Sequence, residues 1–152
     1  MRKTFPLQFK MKSEKFKYRI NNLDLASEFI LKNSLYKTIL FKADLGVGKT
    51  TLIKEICKKI GTNDNVISPT FPILNIYNSK DDLIYHMDLY RVENLKDLNE
   101  LGFFDIIEQQ NWIFIEWPNN FEKIIDKSHT LIEIKLEDDN SRTITLTQNE
   151  II

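Results

Sequence analysis

The stretch LFKADLGVGKTTLIKE, Leu40 to Glu55, constrains the fold more than any other part of the chain. A short β-rich run, KTILFKA, leads into a loop with two glycines, and the loop opens into a segment with apolar residues at helical spacing. The core GVGKT fits the pattern GxxxxGK(S/T), in which backbone N–H groups turn inward around a polyphosphate at the positive end of a helix. Gly46 and Gly48 would let the backbone reach positive φ and approach phosphate oxygens with no Cβ in the way. Lys49 would place an ammonium on the β- and γ-phosphates, and the Thr50 hydroxyl would give Mg²⁺ an oxygen ligand. The predicted nucleotide-binding set is therefore Asp44, Leu45, Gly46, Val47, Gly48, Lys49, Thr50 and Thr51. Ala43 stands where the pattern has its first glycine. Its methyl is excluded only if that position needs φ > 0 or a contact at hydrogen-atom range, so a working loop is expected. The alternative, a plain glycine turn between strand and helix, fits the strand-before, helix-after setting less well.

The rest of the chain predicts a mixed β-sheet with helices on its faces. KTILFKA suits a central buried strand, and the helix after the loop should stop at Gly61 behind Lys58 and Lys59. KFKYRI reads as an edge strand, and NNLDLASEFILKN as a helix opened by an Asn cap. VISPTFPILNIYN and DLIYHMDLYRV read as strands joined at NSKDD, with Pro69 and Pro72 making the first irregular or an edge. ENLKDLNELGFFDII contains a helix capped by Asn94, NWIFIEWP a buried strand stopped by Pro118, and HTLIEIKLEDDNSRTITLTQ a hairpin around EDDNS.

Hydrolysis of a nucleotide also needs carboxylates at strand ends facing the loop. Asp88 in YHMDLYR and Glu116 at the close of WIFIE are the candidates. Spacing alone leaves Asp88 balanced between catalysis and an ion pair with Arg91, and it favours a packed, hydrogen-bonded role for His86. In SPTF, Thr70 either senses the γ-phosphate or sits in a proline-shaped turn, and local physics favours the turn.

Composition excludes several classes. The 152 residues are 42% apolar and carry a formal net charge of −1, enough core for one domain and no general basic excess. The charge is uneven: the first nineteen residues hold Arg2, Lys3, Lys10, Lys12, Lys15, Lys17 and Arg19 against Glu14 alone. That predicts a basic arm over residues 1–15, either a contact for RNA or an acidic partner or a solubilising tail running into a first strand, followed by a single domain over 16–152. No run is long and apolar enough for a membrane span and no secretory signal opens the chain, so a cytoplasmic protein is expected. Cys57, the only cysteine, falls beside Ile53, Ile56 and Ile60 on a helical face, where packing is its expected role.

ADLGVGKTT, SPTF, YHMDLYR and IEWP, in that order, resemble the signature of the TsaE (YjeE) family, over roughly residues 16 to 147. Ala43 and Val47 are its departures from the usual pattern. The resemblance implies a three-layer α/β P-loop NTPase fold, with a mixed central β-sheet flanked by helices and a C-terminal β-hairpin. It also implies an Mg²⁺-dependent ATPase, weak alone, that binds ATP or ADP. Its expected partners are TsaD and TsaB in the tRNA threonylcarbamoyladenosine machinery, with tRNA met indirectly through that complex. Carried over by position, Lys49, Asp88 and Glu116 are the catalytic residues and Thr50 and Glu116 the metal-side groups. Thr70 and Trp117 lie near the nucleotide or partner face. Two other readings stay open from the residues: a small-molecule or nucleotide kinase, which needs more arginines than this chain offers, and a nucleotide-dependent binding module with incidental hydrolysis.

Overall fold

A computed structural model describes residues 9–151. Seven strands form one sheet in the order β1-β7-β6-β2-β5-β4-β3. They span Phe9–Tyr18 (β1), Thr38–Ala43 (β2), Leu74–Asn78 (β3), Leu83–Asp88 (β4), Trp112–Glu116 (β5), His129–Leu136 (β6) and Arg142–Ile151 (β7). The four middle strands β6-β2-β5-β4 run parallel, while β3 closes one side antiparallel and the β6–β7 hairpin with β1 closes the other.

Helices cover both faces because the central strands are apolar on both sides. Ile39, Phe41 and Phe114 point to α1 (Leu23–Asn33) and α2 (Lys49–Ile60), where they meet Ala26, Ile30, Leu52, Ile53, Ile56 and Cys57. Leu40, Ile113 and Ile115 point the other way, to α3 (Leu95–Glu100), α4 (Phe103–Ile107) and a 3-10 turn over Asn119–Ile124. The three-layer α/β architecture and the closing hairpin follow the predicted fold class.

Local chemistry sets the element ends. The αL glycine Gly61 ends α2, its N–H donating to the Cys57 and Lys58 carbonyls. Asn94 caps α3 by accepting from the Asp97 amide at 2.9 Å, whereas Asn22 precedes α1 without a side-chain cap. Three boundaries differ from the sequence reading. The strand near SPTF begins only at Leu74, since Pro69 and Pro72 lack the N–H a ladder needs. Gly102 at φ +77 splits the ENLKDLNELGFFDII segment into two short helices. Positions 1–8 of the basic arm lie outside the described residues, but from Phe9 the chain is already an edge strand paired with β7, so no arm reaches to residue 15. Phe16 explains the pairing: its ring stacks on Phe29 of α1 at 4.9 Å, while the lysines around it remain at the sheet edge.

Candidate functional site

Strand alternation assembles the site. On β4, Ile84, His86 and Asp88 share the face that packs toward α2, and on β5 Phe114 and Glu116 do the same. Parallel register sets Asp88 beside Glu116 and Glu116 beside Phe41 at the C-terminal ends of these strands. The loop after β2 rises over that end and enters α2 at Lys49. Gly46 and Gly48 hold φ of +78 and +101, which side-chain-bearing residues rarely adopt. Ala43 is the last residue of β2 with no positive φ, so its methyl carries no backbone strain.

A cavity of about 200 Å³ lies between this loop, Ser68, Thr70, Asp88, Glu116 and Trp117. Lys49, only 7% exposed, projects into it, donates to the Ala43 carbonyl at 3.0 Å and stands 3.2 Å from the centre of the Trp117 ring. Burial pushes its ammonium down to about 8, although Glu116, Asp88 and Asp44 pull the other way. Trp117 reaches this position with φ of +53 and leans on Tyr90 at 5.1 Å. A non-glycine residue held in that region costs of order 1 kcal/mol, a strain typical of functional sites.

The two carboxylates differ in their partners. Asp88 Oδ2 accepts the Thr70 hydroxyl at 3.2 Å, and Oδ1 accepts the Tyr90 amide at 2.9 Å. Arg91 does not pair with Asp88; its guanidinium donates to the Thr70 and Phe71 carbonyls instead. Glu116 Oε2 lies 2.7 Å from His86 Nε2, and Oε1 faces the Thr50 hydroxyl at 3.5 Å. The Thr50 hydroxyl and Glu116 Oε1 form a pair of oxygens suited to a hard cation. Among the described residues no three His, Cys, Asp or Glu side chains cluster to hold a metal alone, so a cation here would draw its other ligands from phosphate and water, as Mg²⁺ prefers.

Of the predicted residues, Leu45, Gly46, Gly48, Lys49, Thr50, Thr51, Thr70, Asp88, Glu116 and Trp117 line one cavity, while Val47 turns its side chain into the core and Asp44 lies exposed on the loop outside that lining. Sequence reasoning missed two long-range supports. Arg142, at the start of β7, donates from Nε to the Val47 carbonyl at 3.1 Å and props the loop from outside. His86 is buried and hydrogen-bonded as spacing favoured, but its partner, Glu116 of the site itself, was not foreseen. The period-two face that His86 shares with Asp88 was the one available signal.

The family model described as "Threonylcarbamoyl adenosine biosynthesis protein TsaE" matches residues 16–144. The chain belongs to the TsaE family. TsaE-family relatives named "tRNA threonylcarbamoyladenosine biosynthesis protein TsaE" align over most of it. The protein of Rickettsia typhi is 35% identical over 115 residues, spanning 75% of this chain and 79% of its own. That of Haemophilus influenzae is 35% identical over 122 residues, 79% of this chain and 77% of its own. The Bacillus subtilis protein is 35% identical over 109 residues, 72% of this chain and 68% of its own. The crystal structure of Bacillus subtilis YdiB superposes with a TM-score of 0.71 at 25% identity, covering 93% of this chain and 88% of that one. The fold shared with YdiB therefore extends over nearly the whole chain.

Proposed function

We propose that this chain is the Mg²⁺-dependent ATPase of tRNA threonylcarbamoyladenosine biosynthesis, working in the cytoplasm with TsaB and TsaD and meeting tRNA through that complex. One observation carries the reading: Lys49 and Thr50, at the mouth of α2 behind two positive-φ glycines, face Asp88 and Glu116 across a single cavity. Amides of the loop and the start of α2 would cradle the phosphates of ATP. Lys49 would leave the Ala43 carbonyl and the Trp117 ring for the β- and γ-phosphates, an exchange of neutral partners for anionic ones. Thr50 and Glu116 Oε1 would hold Mg²⁺, which supplies charge neutralisation between phosphates when bound. Asp88, steadied by Thr70 and the Tyr90 amide, would orient the attacking water and take its proton.

The arginines speak against a kinase. Arg19 binds Asp139, Arg91 binds two carbonyls, and Arg142 binds the Val47 and Asn140 carbonyls, so each described arginine is already engaged in holding structure. No helix among the described residues is long and apolar enough to cross a membrane. The test is nucleotide binding and ATP hydrolysis measured with and without TsaB and TsaD. Slow turnover alone and strong stimulation by the pair are expected; turnover indifferent to them would sink the reading.

A further inference from the structure

The proposed hydrolysis uses one oxygen of Glu116 and leaves unexplained why the other is bonded to a histidine with 0% exposure. A carboxylate 2% exposed accepts hydrogen bonds and donates none when ionised, so the imidazole Nε2–H is the donor in this 2.7 Å contact. That bond fixes the carboxylate plane and turns Oε1 toward Thr50. On the far side of the ring, Nδ1 lies 3.3 Å from the Tyr77 hydroxyl. That hydroxyl has one proton for two acceptors, Nδ1 and the Ile67 carbonyl 3.0 Å away, while its oxygen accepts from the Ile67 amide at 3.4 Å and from Asn75 Nδ2 at 3.3 Å. Asp88 meets the same stretch of chain through Thr70, which also bonds Ser68. Both carboxylates are therefore tied to residues 67–71, from which Ile67 and Phe71 extend side chains 56% and 84% exposed.

We propose that His86 is a positioning residue that aims Glu116 at the Thr50 cation site and, through Tyr77, couples occupancy of that site to the segment 67–71. The inference rests on the metal reading of Thr50 and Glu116. A cation that draws Glu116 toward Thr50 moves the His86 ring with it, and the Tyr77 hydroxyl, which donates to Nδ1 and accepts from the Ile67 amide, passes the displacement to Ile67. The segment with the exposed Phe71 then senses which nucleotide state the site is in.

The test compares ADP binding by calorimetry in EDTA and in Mg²⁺, with amide hydrogen exchange over residues 67–71 under both conditions. In the wild type, Mg²⁺ should raise ADP affinity about tenfold or more, the range typical of coupled sites, and protect the 67–71 amides. His86→Leu should bind ADP normally in EDTA yet lose both the affinity gain and the protection. His86→Gln, whose amide can still donate to Glu116, should restore the gain. Tyr77→Phe should keep the gain and lose the protection. If His86→Leu does not fold, His86→Asn, too short to reach Glu116, takes its place. A leucine variant with the full Mg²⁺ gain, or one weakened equally in EDTA and Mg²⁺, overturns the inference alone. A wild type with no Mg²⁺ gain overturns the metal reading and the inference with it.

Discussion

The two ends of the central sheet contrast sharply. At the C-terminal end of the parallel strands, Lys49, His86, Asp88 and Glu116 are all under a tenth exposed, and four residues there, Gly46, Gly48, Ile73 and Trp117, hold positive φ. At the opposite end lies a larger cavity of about 410 Å³ between Lys37, Lys59, Asp82 and Trp112. Its charges pair near water: Lys37 bonds Asp82 at 2.6 Å, and Lys59 bonds Asp24 and Glu28. Volume therefore does not mark the site. Charges kept dry together with a strained backbone do, because folding tolerates both only where they are used.

The contrast can be tested from its strongest consequence to its weakest. Glu116→Gln and Asp88→Asn should each cut ATP hydrolysis by about a hundredfold or more while ADP still binds, as single-turnover assays and calorimetry would show. Equal loss of binding and turnover would place these acids in the scaffold. Lys49→Ala should lower ADP affinity by about 1.5–3 kcal/mol, the worth of a hydrogen bond to a charged group, and turnover should fall with it. The third consequence follows from the lowered Lys49 ammonium. Below about 8 it is charged and ready for phosphate; above, binding must recruit a proton, so ADP affinity should fall by up to about tenfold per pH unit. Stability moves oppositely. Between about 8 and the ordinary lysine value the unfolded chain holds the extra proton, so this group's cost to folding is relieved as pH rises, readable in denaturant titrations at pH 7 and 9.5.

Smaller effects complete the series. Ala43→Gly should leave ADP affinity unchanged and cost roughly 0.5–1 kcal/mol of stability, since an extended strand residue gains only chain freedom from the change. A large rise in affinity would show that the methyl does crowd the phosphates. At the other end of the sheet, Lys37→Ala should cost about 0.5 kcal/mol or less in thermal melts and leave nucleotide binding untouched.

What the sequence revealed and what it hid follow from range. The β2, loop and α2 unit was legible because strand run, glycines, lysine and helix spacing are contiguous in Leu40–Glu55. Glu116 was legible as a charge closing an apolar strand. The turn favoured for SPTF is also what the structure has, yet Thr70 bonds Asp88 across that turn, which local physics could not foresee. Arg142 and Val47 are 95 residues apart and His86 and Glu116 are 30 apart, so only strand register brings each pair together. The start of β1 was hidden for another reason: lysines that guard an edge strand also look like a solvated tail.

The pairing of the first described strand with the last carries a cost in time. Ser13 meets Thr147, 134 positions later, so a ribosome releases β1 long before β7, its neighbour in the sheet, exists. Until then the nascent strand must wait in water without sticking to other chains, and the exposed Lys12, Lys15 and Lys17 oppose such pairing by charge.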